Sequence, residues 1–246
     1  MQHLTQEILA RAAHMSATDL ARRAGVNRST LHRIATGQVE PSLGTLRELA
    51  IVCGLDLTIS LEPLSDPDAA AAARYLLEAA SAQVELTEGG RAWVDRIGRL
   101  DADPLTILSV AGRASTLLAR EGAALFRGNS SAARLASAGD AAGGRWAISG
   151  RAAIELGRDE PLSGPSVLWV DDVDAATGIL TATHDRVATT VNAQVIVAGA
   201  NTSVLVDTYT VGPVRYVAPI QMLLDCVGVG GQLEAAAMDI AKEWSE

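Results

Sequence analysis

Apolar residues in the first 54 positions recur every three or four residues, which is the spacing of amphipathic helices. Glycines follow three of these runs, at the position where a helix commonly ends in a left-handed residue. The pattern therefore predicts a cluster of short helices. The first helix is predicted over residues 2–14. The second would begin at the capping box 16–19 and end at Gly25, and the third would begin at Asn27 and end at Gly37. The fourth would begin at residues 41–42 and end at Gly54.

The apolar residues then change to a period of two. From residue 55 to residue 61, leucine or isoleucine alternates with a polar residue. Because successive side chains of a strand point to opposite faces, this alternation predicts a half-buried strand. The strand would complete an N-terminal all-α domain that spans residues 1–63.

The middle of the chain, residues 64–144, is predicted to be helical. Asp-Pro pairs at 66–67 and 103–104 are typical of helix starts, because Asp caps a helix and proline suits its first turn. Residues 75–77 are expected on the apolar side of the first of these helices. The predicted helices are residues 67–82, 105–121 and 130–137, followed by a loose glycine-rich connection over residues 139–144.

Residues 145–246 are predicted to form a C-terminal mixed α/β domain. The apolar run 166–170 indicates a buried strand, and a short helix is expected between residues 150 and 156. With the helices before it, this domain makes the predicted fold class α+β. Further strands are predicted over 191–197, 202–206 and 211–217, and closing helices over 221–227 and 233–244.

The composition is that of a folded globular protein, with 48% hydrophobic and 20% charged residues. The formal net charge of −9 argues against a wholly basic nucleic-acid coat. Residues 1–63 hold six arginines and six acidic residues, so all of the excess negative charge lies in residues 64–246. The N-terminal domain is therefore the part of the chain that would repel the phosphates of a nucleic acid least.

Several features predict a cytoplasmic protein without a membrane partner. Cys53 and Cys226 lie in apolar stretches and are expected to be reduced and buried. Charged residues interrupt the N-terminal sequence, so we expect no signal peptide. The longest uncharged stretch, 187–206, contains Asn and Gln and is rich in β-branched residues, which suits strands better than a membrane helix.

Two short helices joined by a glycine turn inside a helical cluster form a helix-turn-helix. The stretches DLARRAGVNRSTLHRI (19–34) and GQVEPSLGTLRELA (37–50) place their apolar positions and glycines in the register of that motif. They resemble the phage-repressor (Xre/Cro-like) helix-turn-helix family over roughly residues 5–55. The resemblance implies a regulator that binds double-stranded DNA.

In this motif the second helix enters the major groove, with its first residues at the base edges. Arg28, Ser29 and Thr30 occupy those positions, and His32 and Arg33 lie about one turn further on. Arginine can donate two hydrogen bonds to guanine, and backbone N–H groups at helix starts can hold phosphates. The candidate DNA contacts are Ala17, Thr18, Arg28, Ser29, Thr30, His32, Arg33, Thr36 and Gln38.

A second resemblance covers roughly residues 145–246. The segments ISGRAAIEL (148–156), VLWVDD (167–172), VAPIQMLLD (217–225) and GQLEAA (231–236) are similar to the antitoxin module of type IV abortive-infection (AbiEi-type) systems. The resemblance implies a transcriptional repressor, often of its own operon, with a nucleotidyltransferase-type toxin as cognate partner. Such antitoxins usually carry a winged-helix domain, whereas this chain has a phage-repressor-type helix-turn-helix.

Two alternatives stay open. The C-terminal domain could sense a small molecule, although no residue set identifies one. The protein could instead be a DNA-tethered nucleotidyltransferase. Asp172 and Asp174 after an apolar strand, with Asp207 after another, resemble the metal-binding aspartates of that class, and paired carboxylates could bind Mg²⁺. Acids at this point could instead cap a helix.

The sequence thus predicts a sequence-specific DNA-binding transcriptional regulator rather than an enzyme. We expect a dimeric, autoregulatory repressor that acts as an antitoxin-like component, with no metal and no cofactor. A homodimer is expected because one small module makes few base contacts, and two half-sites double them.

Overall fold

The computed structural model describes residues 2–77, 84–100 and 103–245. The chain divides into two compact units, residues 1–62 and residues 63–246. Each unit has a hydrophobic core of its own.

The N-terminal unit is built from four short helices. They are α1 (Gln2–Arg11), α2 (Ala17–Arg23), α3 (Arg28–Ala35) and α4 (Leu43–Val52), with one turn of 3₁₀ helix (Ala12–His14) after α1. Ile8, Leu20, Leu31, Leu46 and Leu49 are almost fully buried and pack together at the centre. The helical spacing of these apolar residues, visible in the sequence, is what gives each helix one inward face.

The strand predicted over residues 55–61 does not form within this unit. Residues 55–64 belong to no helix, turn or paired strand. The side chains of Leu55 and Leu57 still pack against the core, as the alternation predicts. The prediction is wrong because a strand also needs a second strand for its backbone hydrogen bonds, and none of the described residues of the unit supplies one.

The C-terminal unit contains seven strands and eight further helices among the described residues. The helices are α5 (Pro67–Leu77), α6 (Glu88–Gly98), α7 (Pro104–Ala114), α8 (Ala132–Ala142), α9 (Arg151–Ile154), α10 (Val173–Thr181), α11 (Pro219–Val229) and α12 (Gly231–Ser245). The strands are β1 (Ala124–Arg127), β2 (Trp146–Gly150), β3 (Ser166–Val170), β4 (Asp185–Arg186), β5 (Val195–Gly199), β6 (Tyr209–Val211) and β7 (Val214–Tyr216).

The seven strands form one mixed sheet in the order β4-β1-β5-β3-β2-β7-β6. β3 is parallel to β5 and β2 is parallel to β7, whereas the other neighbours are antiparallel. All residues of β2 and β3 are buried. Strands buried on both faces are apolar throughout rather than alternating, which is how residues 166–170 read in the sequence.

Helices cover both faces of this sheet. Trp146 of β2 lies against Gly139 of α8, while Trp169 of β3 donates a hydrogen bond to Asp225 of α11. The register pairs Ala147 with Trp169, so the two tryptophans point to opposite faces. α8 and α11 are therefore on opposite sides of the sheet, which makes this unit a three-layer α/β/α arrangement.

The helical prediction for the middle region needs several corrections. β1 and α6 were not predicted. Of residues 75–77, predicted on the apolar side of α5, residues 75–76 are exposed and residue 77 is half-buried, whereas every residue from 69 to 74 is buried. α7 ends at Ala114 rather than near residue 121, and the Ala114 carbonyl, which has no donor within the helix, accepts the Asp66 N–H at 2.8 Å. The predicted end of the first helix near residue 82 lies outside the described residues. The middle region and the C-terminal region contribute to one sheet and one core.

The position of Gly139 explains a further difference between the predicted and the observed helices. α8 runs through Gly139 to residue 142, where the sequence predicts a loose connection. A Cβ at Gly139 would lie 2.6 Å from the Trp146 ring, so only glycine lets the helix approach that ring so closely.

In the C-terminal region, the strand 166–170 and the helices beginning near 221 and 233 are confirmed. The strand predicted over 202–206 is wrong, because residues 202–207 form turns. Buried Arg74 donates hydrogen bonds to the carbonyls of Ser203 and Val206, which holds the turns in place. The α+β class is confirmed. Within the described residues, no helix combines the length and the apolar character that crossing a bilayer requires.

Candidate nucleic-acid interface

The two helices of the candidate interface, α2 and α3, are joined by a tight turn. The Ser16 hydroxyl caps α2 by accepting the Asp19 N–H at 3.1 Å, and it donates to the Asp19 carboxylate at 2.7 Å. Gly25 has φ of +67°, which a residue with a side chain rarely adopts. The Val26 N–H then bonds the Ala21 carbonyl at 2.9 Å, so the chain reverses into α3. The predicted cap at Ser16 and the predicted turn glycine are both confirmed, although the Asp19 carboxylate bonds the Ser16 hydroxyl and not the Ser16 N–H that a full capping box would use.

α3 has one buried face and one exposed face. Leu31 and Ile34 are 3% exposed and fix the helix to the core. Arg28, Ser29, His32 and Arg33 are exposed, and Thr30 is half-buried. The start of the helix therefore presents its polar side chains to solvent, as insertion into a groove requires. Asn27 is the N-cap residue, but its side chain accepts no capping hydrogen bond.

Charge on this surface is distributed unevenly. Arg22 lies 3.3 Å from the Asp19 carboxylate, so its charge is partly neutralised. The hydrogen bond from Ser16, followed by that from Arg22, lowers the pKa of Asp19 and keeps this carboxylate ionised. Arg28 and Arg33 form no ion pair with any residue in the described part of the chain. Their guanidinium groups are available to an anionic partner.

The other predicted contacts lie at the ends of these helices. Ala17 and Thr18 are the first residues of α2, and helix geometry leaves their N–H groups without intrahelical partners. Thr36 follows α3 and donates its hydroxyl to the His32 carbonyl at 2.9 Å. Gln38, after the left-handed Gly37, is exposed. The structure thus places all nine predicted contact residues on the surface of the N-terminal unit, eight of them exposed and Thr30 half-buried.

This arrangement has a counterpart among known proteins. Residues 6–58 match the helix-turn-helix domain family. The chain is also similar to a protein of Sinorhizobium fredii described as an uncharacterized HTH-type transcriptional regulator, with 34% identity over 101 residues. That alignment covers 40% of this chain and 49% of the relative, so the chain spans about half of the relative's length. No solved structure matches the chain.

The helix-turn-helix match covers residues of the N-terminal unit only. In the second unit, the aspartates considered as alternative metal ligands do not form a metal-binding cluster among the described residues. Asp172 is the N-cap of α10 and its carboxylate accepts the Ala175 N–H at 2.9 Å. Asp174 lies exposed in the first turn of α10, and Asp207 sits in a turn with φ of +56°. Among the described residues, no three His, Cys, Asp or Glu side chains are close enough to hold a metal ion. Helix capping, the simpler explanation of these acids, accounts for Asp172.

One polar cluster in the second unit was not predicted. Asp225 of α11 is 5% exposed and accepts hydrogen bonds from Trp169 Nε1 at 2.9 Å and from Gln221 Nε2 at 2.8 Å. Burial raises the pKa of Asp225 to about 6, although these hydrogen bonds and the charge of Arg120 act in the opposite direction. A single acid in the apolar run 222–227 was the only signal in the sequence. The cluster joins α11 to β3 through the core.

Proposed function

We propose that this protein is a sequence-specific DNA-binding transcriptional regulator that acts in the cytoplasm and reads the major groove with the start of α3. The observation that carries the proposal is that the start of α3 is exposed, within a domain of the helix-turn-helix family, and that Arg28 there forms no ion pair with any described residue. The similarity to an HTH-type transcriptional regulator supports the same assignment.

The side chains at the start of α3 suit base recognition. A guanidinium group can donate two parallel hydrogen bonds to O6 and N7 of guanine, and Arg28 has no competing carboxylate among the described residues. The hydroxyl groups of Ser29 and Thr30 can bond several bases. His32 and Arg33 lie further along the helix, where side chains reach phosphates or neighbouring bases.

A second set of groups would fix the helix on the duplex. The N–H groups of Ala17 and Thr18, which have no partners within α2, would donate hydrogen bonds to a phosphate. Thr36 and Gln38 would supply neutral hydrogen bonds to the backbone on the other side of α3. These contacts position α3 without reading sequence.

The test begins with selection of binding sites from a random-sequence library of DNA duplexes by the full chain. Binding of the selected duplex is then compared for wild type, Arg28→Ala and the control Arg11→Ala, which removes an equal charge from exposed Arg11 of α1. We expect Arg28→Ala to cost about 1–3 kcal/mol per half-site and to relax the preference at one base pair. Arg11→Ala should keep the preferred site.

Two results would contradict the proposal. If repeated selection enriches no sequence, the chain is not a sequence-specific DNA-binding protein. If a site is enriched but Arg28→Ala retains both affinity and preference, DNA is read by another surface.

We propose further that the regulator is an autoregulatory repressor with an antitoxin-like C-terminal unit. Three of the segments that resemble the antitoxin module, in β2–α9, β3 and α11, lie against one another in this unit. A toxin partner would be the product of a neighbouring gene. Co-expression and co-purification of the full chain with that product tests the partnership, and separate migration of the two proteins would refute it.

A further inference from the structure

A small cavity lies inside the C-terminal unit, beside the buried carboxylate of Asp225. Its volume is about 10 Å³, and its lining includes two charged side chains, Arg120 and Asp225, and the polar residues Ser115, Asn201 and Gln221. Buried cavities with an apolar lining stay dry, whereas polar ones hold water that bonds the groups around it. The lining therefore indicates a site for a molecule that forms hydrogen bonds.

One polar atom of this lining has no partner. Gln221 is 1% exposed, and its side-chain Nε2 donates a hydrogen bond to Asp225 at 2.8 Å. The other end of the same amide, Oε1, is buried and accepts no hydrogen bond from any residue that the structure describes. An unbonded amide oxygen in a protein interior is costly in free energy, because water would have bonded it in the unfolded chain. A bound donor at Oε1 would remove this cost.

The two charged groups of the lining do not contact each other directly. The Arg120 guanidinium donates to the Ser65 hydroxyl at 2.8 Å and to the Ser115 carbonyl at 3.0 Å, but it forms no ion pair with Asp225. Burial lowers the pKa of Arg120, whereas the charge of Asp225, followed by that of Asp66, raises it. The two groups thus interact across a gap, and such gaps between polar groups are commonly bridged by water.

We propose that this cavity binds one water molecule, which donates hydrogen bonds to Gln221 Oε1 and to the Asp225 carboxylate and accepts one from the Arg120 guanidinium. A buried water needs about 10–15 Å³ of such space and two to four polar partners. The cavity has a volume of about 10 Å³, and these three side chains supply the partners.

The chemistry of the lining favours water over an ion. A cation would lie beside the Arg120 guanidinium and an anion beside the Asp225 carboxylate, and like charges repel strongly in a buried site. Arg120 offers only N–H donors, whereas Gln221 Oε1 and the ionised Asp225 offer only acceptors. Water donates and accepts at once, so one water molecule satisfies all three groups.

The bound water would join separate parts of the C-terminal unit. Arg120 lies in the connection between α7 and β1, whereas Gln221 and Asp225 lie in α11. Asp225 also accepts the hydrogen bond of Trp169 in β3. The water would therefore link this connection, the helix and the sheet. It is a property of the C-terminal unit and goes beyond the proposed DNA binding.

The experiment is nuclear magnetic resonance of the full chain with isotope-labelled tryptophan. The Trp169 indole lines the cavity and its N–H donates to Asp225 at 2.9 Å, so the indole proton lies near the proposed water. We expect Overhauser cross-peaks between this proton and water, in the laboratory and rotating frames, with the signs of a water that tumbles with the protein. The internal control is Trp146, whose indole N–H donates to the exposed Asp140 carboxylate at 2.8 Å on the other face of the sheet. Its proton should show no such cross-peaks.

Substitutions in the lining test the position of the water. Gln221→Met keeps the length of the side chain but removes Oε1, so the Trp169 cross-peaks to water should be lost. Ala70→Val adds methyl groups at a wall of the cavity and leaves Gln221 in place, so it gives the same test if Gln221→Met fails to fold. The matched control is Ala92→Val at an exposed position of α6, which should keep the cross-peaks.

Two results would overturn the proposal. A wild-type chain in which the Trp169 proton shows no cross-peak to water, or only one with the sign of chemical exchange, binds no water at this site. Cross-peaks that persist in folded Gln221→Met, or in Ala70→Val where Gln221→Met does not fold, would come from a neighbouring hydroxyl instead. Loss of the cross-peaks in the variant and their retention in Ala92→Val would support the water site, whether or not selection enriches a DNA sequence.

Discussion

Asp225 illustrates at the scale of one residue how burial changes chemistry. Its pKa is raised from 3.8 to about 6, chiefly by burial, so the folded chain holds a proton that the unfolded chain releases between about pH 4 and pH 6. The free energy of unfolding of the C-terminal unit should therefore fall as pH rises through this window, by at most about 3 kcal/mol. Above the window this contribution is constant.

Urea unfolding at several pH values, followed by tryptophan fluorescence, measures this effect. Asp225→Asn should flatten the dependence between pH 4 and 6, because asparagine does not titrate. Asp174→Asn serves as control, since Asp174 is exposed on α10. An unchanged pH dependence in Asp225→Asn would show that another group is responsible.

Arginines show why single residues are hard to interpret from sequence. Arg28 is exposed at the start of α3, whereas Arg74 is fully buried in α5 and bonds carbonyls of a distant turn. Arg28 could be assigned because a motif surrounds it. Arg74 sits in an alanine run that carries no such motif, and its partners are more than 100 residues away in the chain.

At the scale of elements, α7 and α11 are in close contact through glycines. A Cβ on Gly112 would lie 2.7 Å from the Val227 side chain and 3.0 Å from the Leu224 carbonyl oxygen. A Cβ on Gly228 would lie 2.7 Å from the Gly112 carbonyl oxygen. Small residues in α7 are visible in the sequence, but only the fold shows which helix they contact.

This contact predicts opposite effects for two glycine substitutions. Gly112→Ala should lower the free energy of unfolding by about 1–3 kcal/mol, because the backbones must move apart. Gly178→Ala in α10 should raise it by up to about 1 kcal/mol, since nothing lies within 4 Å and alanine favours the helix. Urea unfolding followed by tryptophan fluorescence measures both. Equal effects of the two substitutions would contradict the close contact.

At the scale of the whole molecule, the protein has two separate hydrophobic cores, one in each unit. All four tryptophans, at residues 93, 146, 169 and 244, belong to the C-terminal unit. Fluorescence therefore reports that unit, whereas far-ultraviolet circular dichroism reports the helices of both. The two signals can be used to assign a substitution to one unit.

Ser16→Ala tests this separation. Loss of the α2 cap should lower the free energy of unfolding of the N-terminal unit by about 1 kcal/mol. The part of the circular dichroism transition that reports this unit should then move to a lower urea concentration. The fluorescence transition should stay in place, because the second core is unaffected. Equal shifts in both signals would show that the units unfold together.

Sequence alone determined the helix-turn-helix domain. Its helices depend on local spacing, on the cap at Ser16 and on the left-handed Gly25, and these features act over a few residues. The buried strand β3 was equally clear because four of its five residues, 167–170, are apolar without alternation. The nine candidate DNA contacts follow from the same motif and stay predictions.

Only the tertiary structure decided the rest. Residues 55–61 have a strand pattern but no strand to pair with in their unit, while β1, which was not predicted, pairs with β5 about 70 positions later. The fold also decided that Asp172, Asp174 and Asp207, the alternative metal ligands, form no cluster of three among the described residues, and that Asp225 is buried. Pairing, burial and ligand clusters depend on residues far apart in the chain, and a local pattern cannot specify which distant residues will meet.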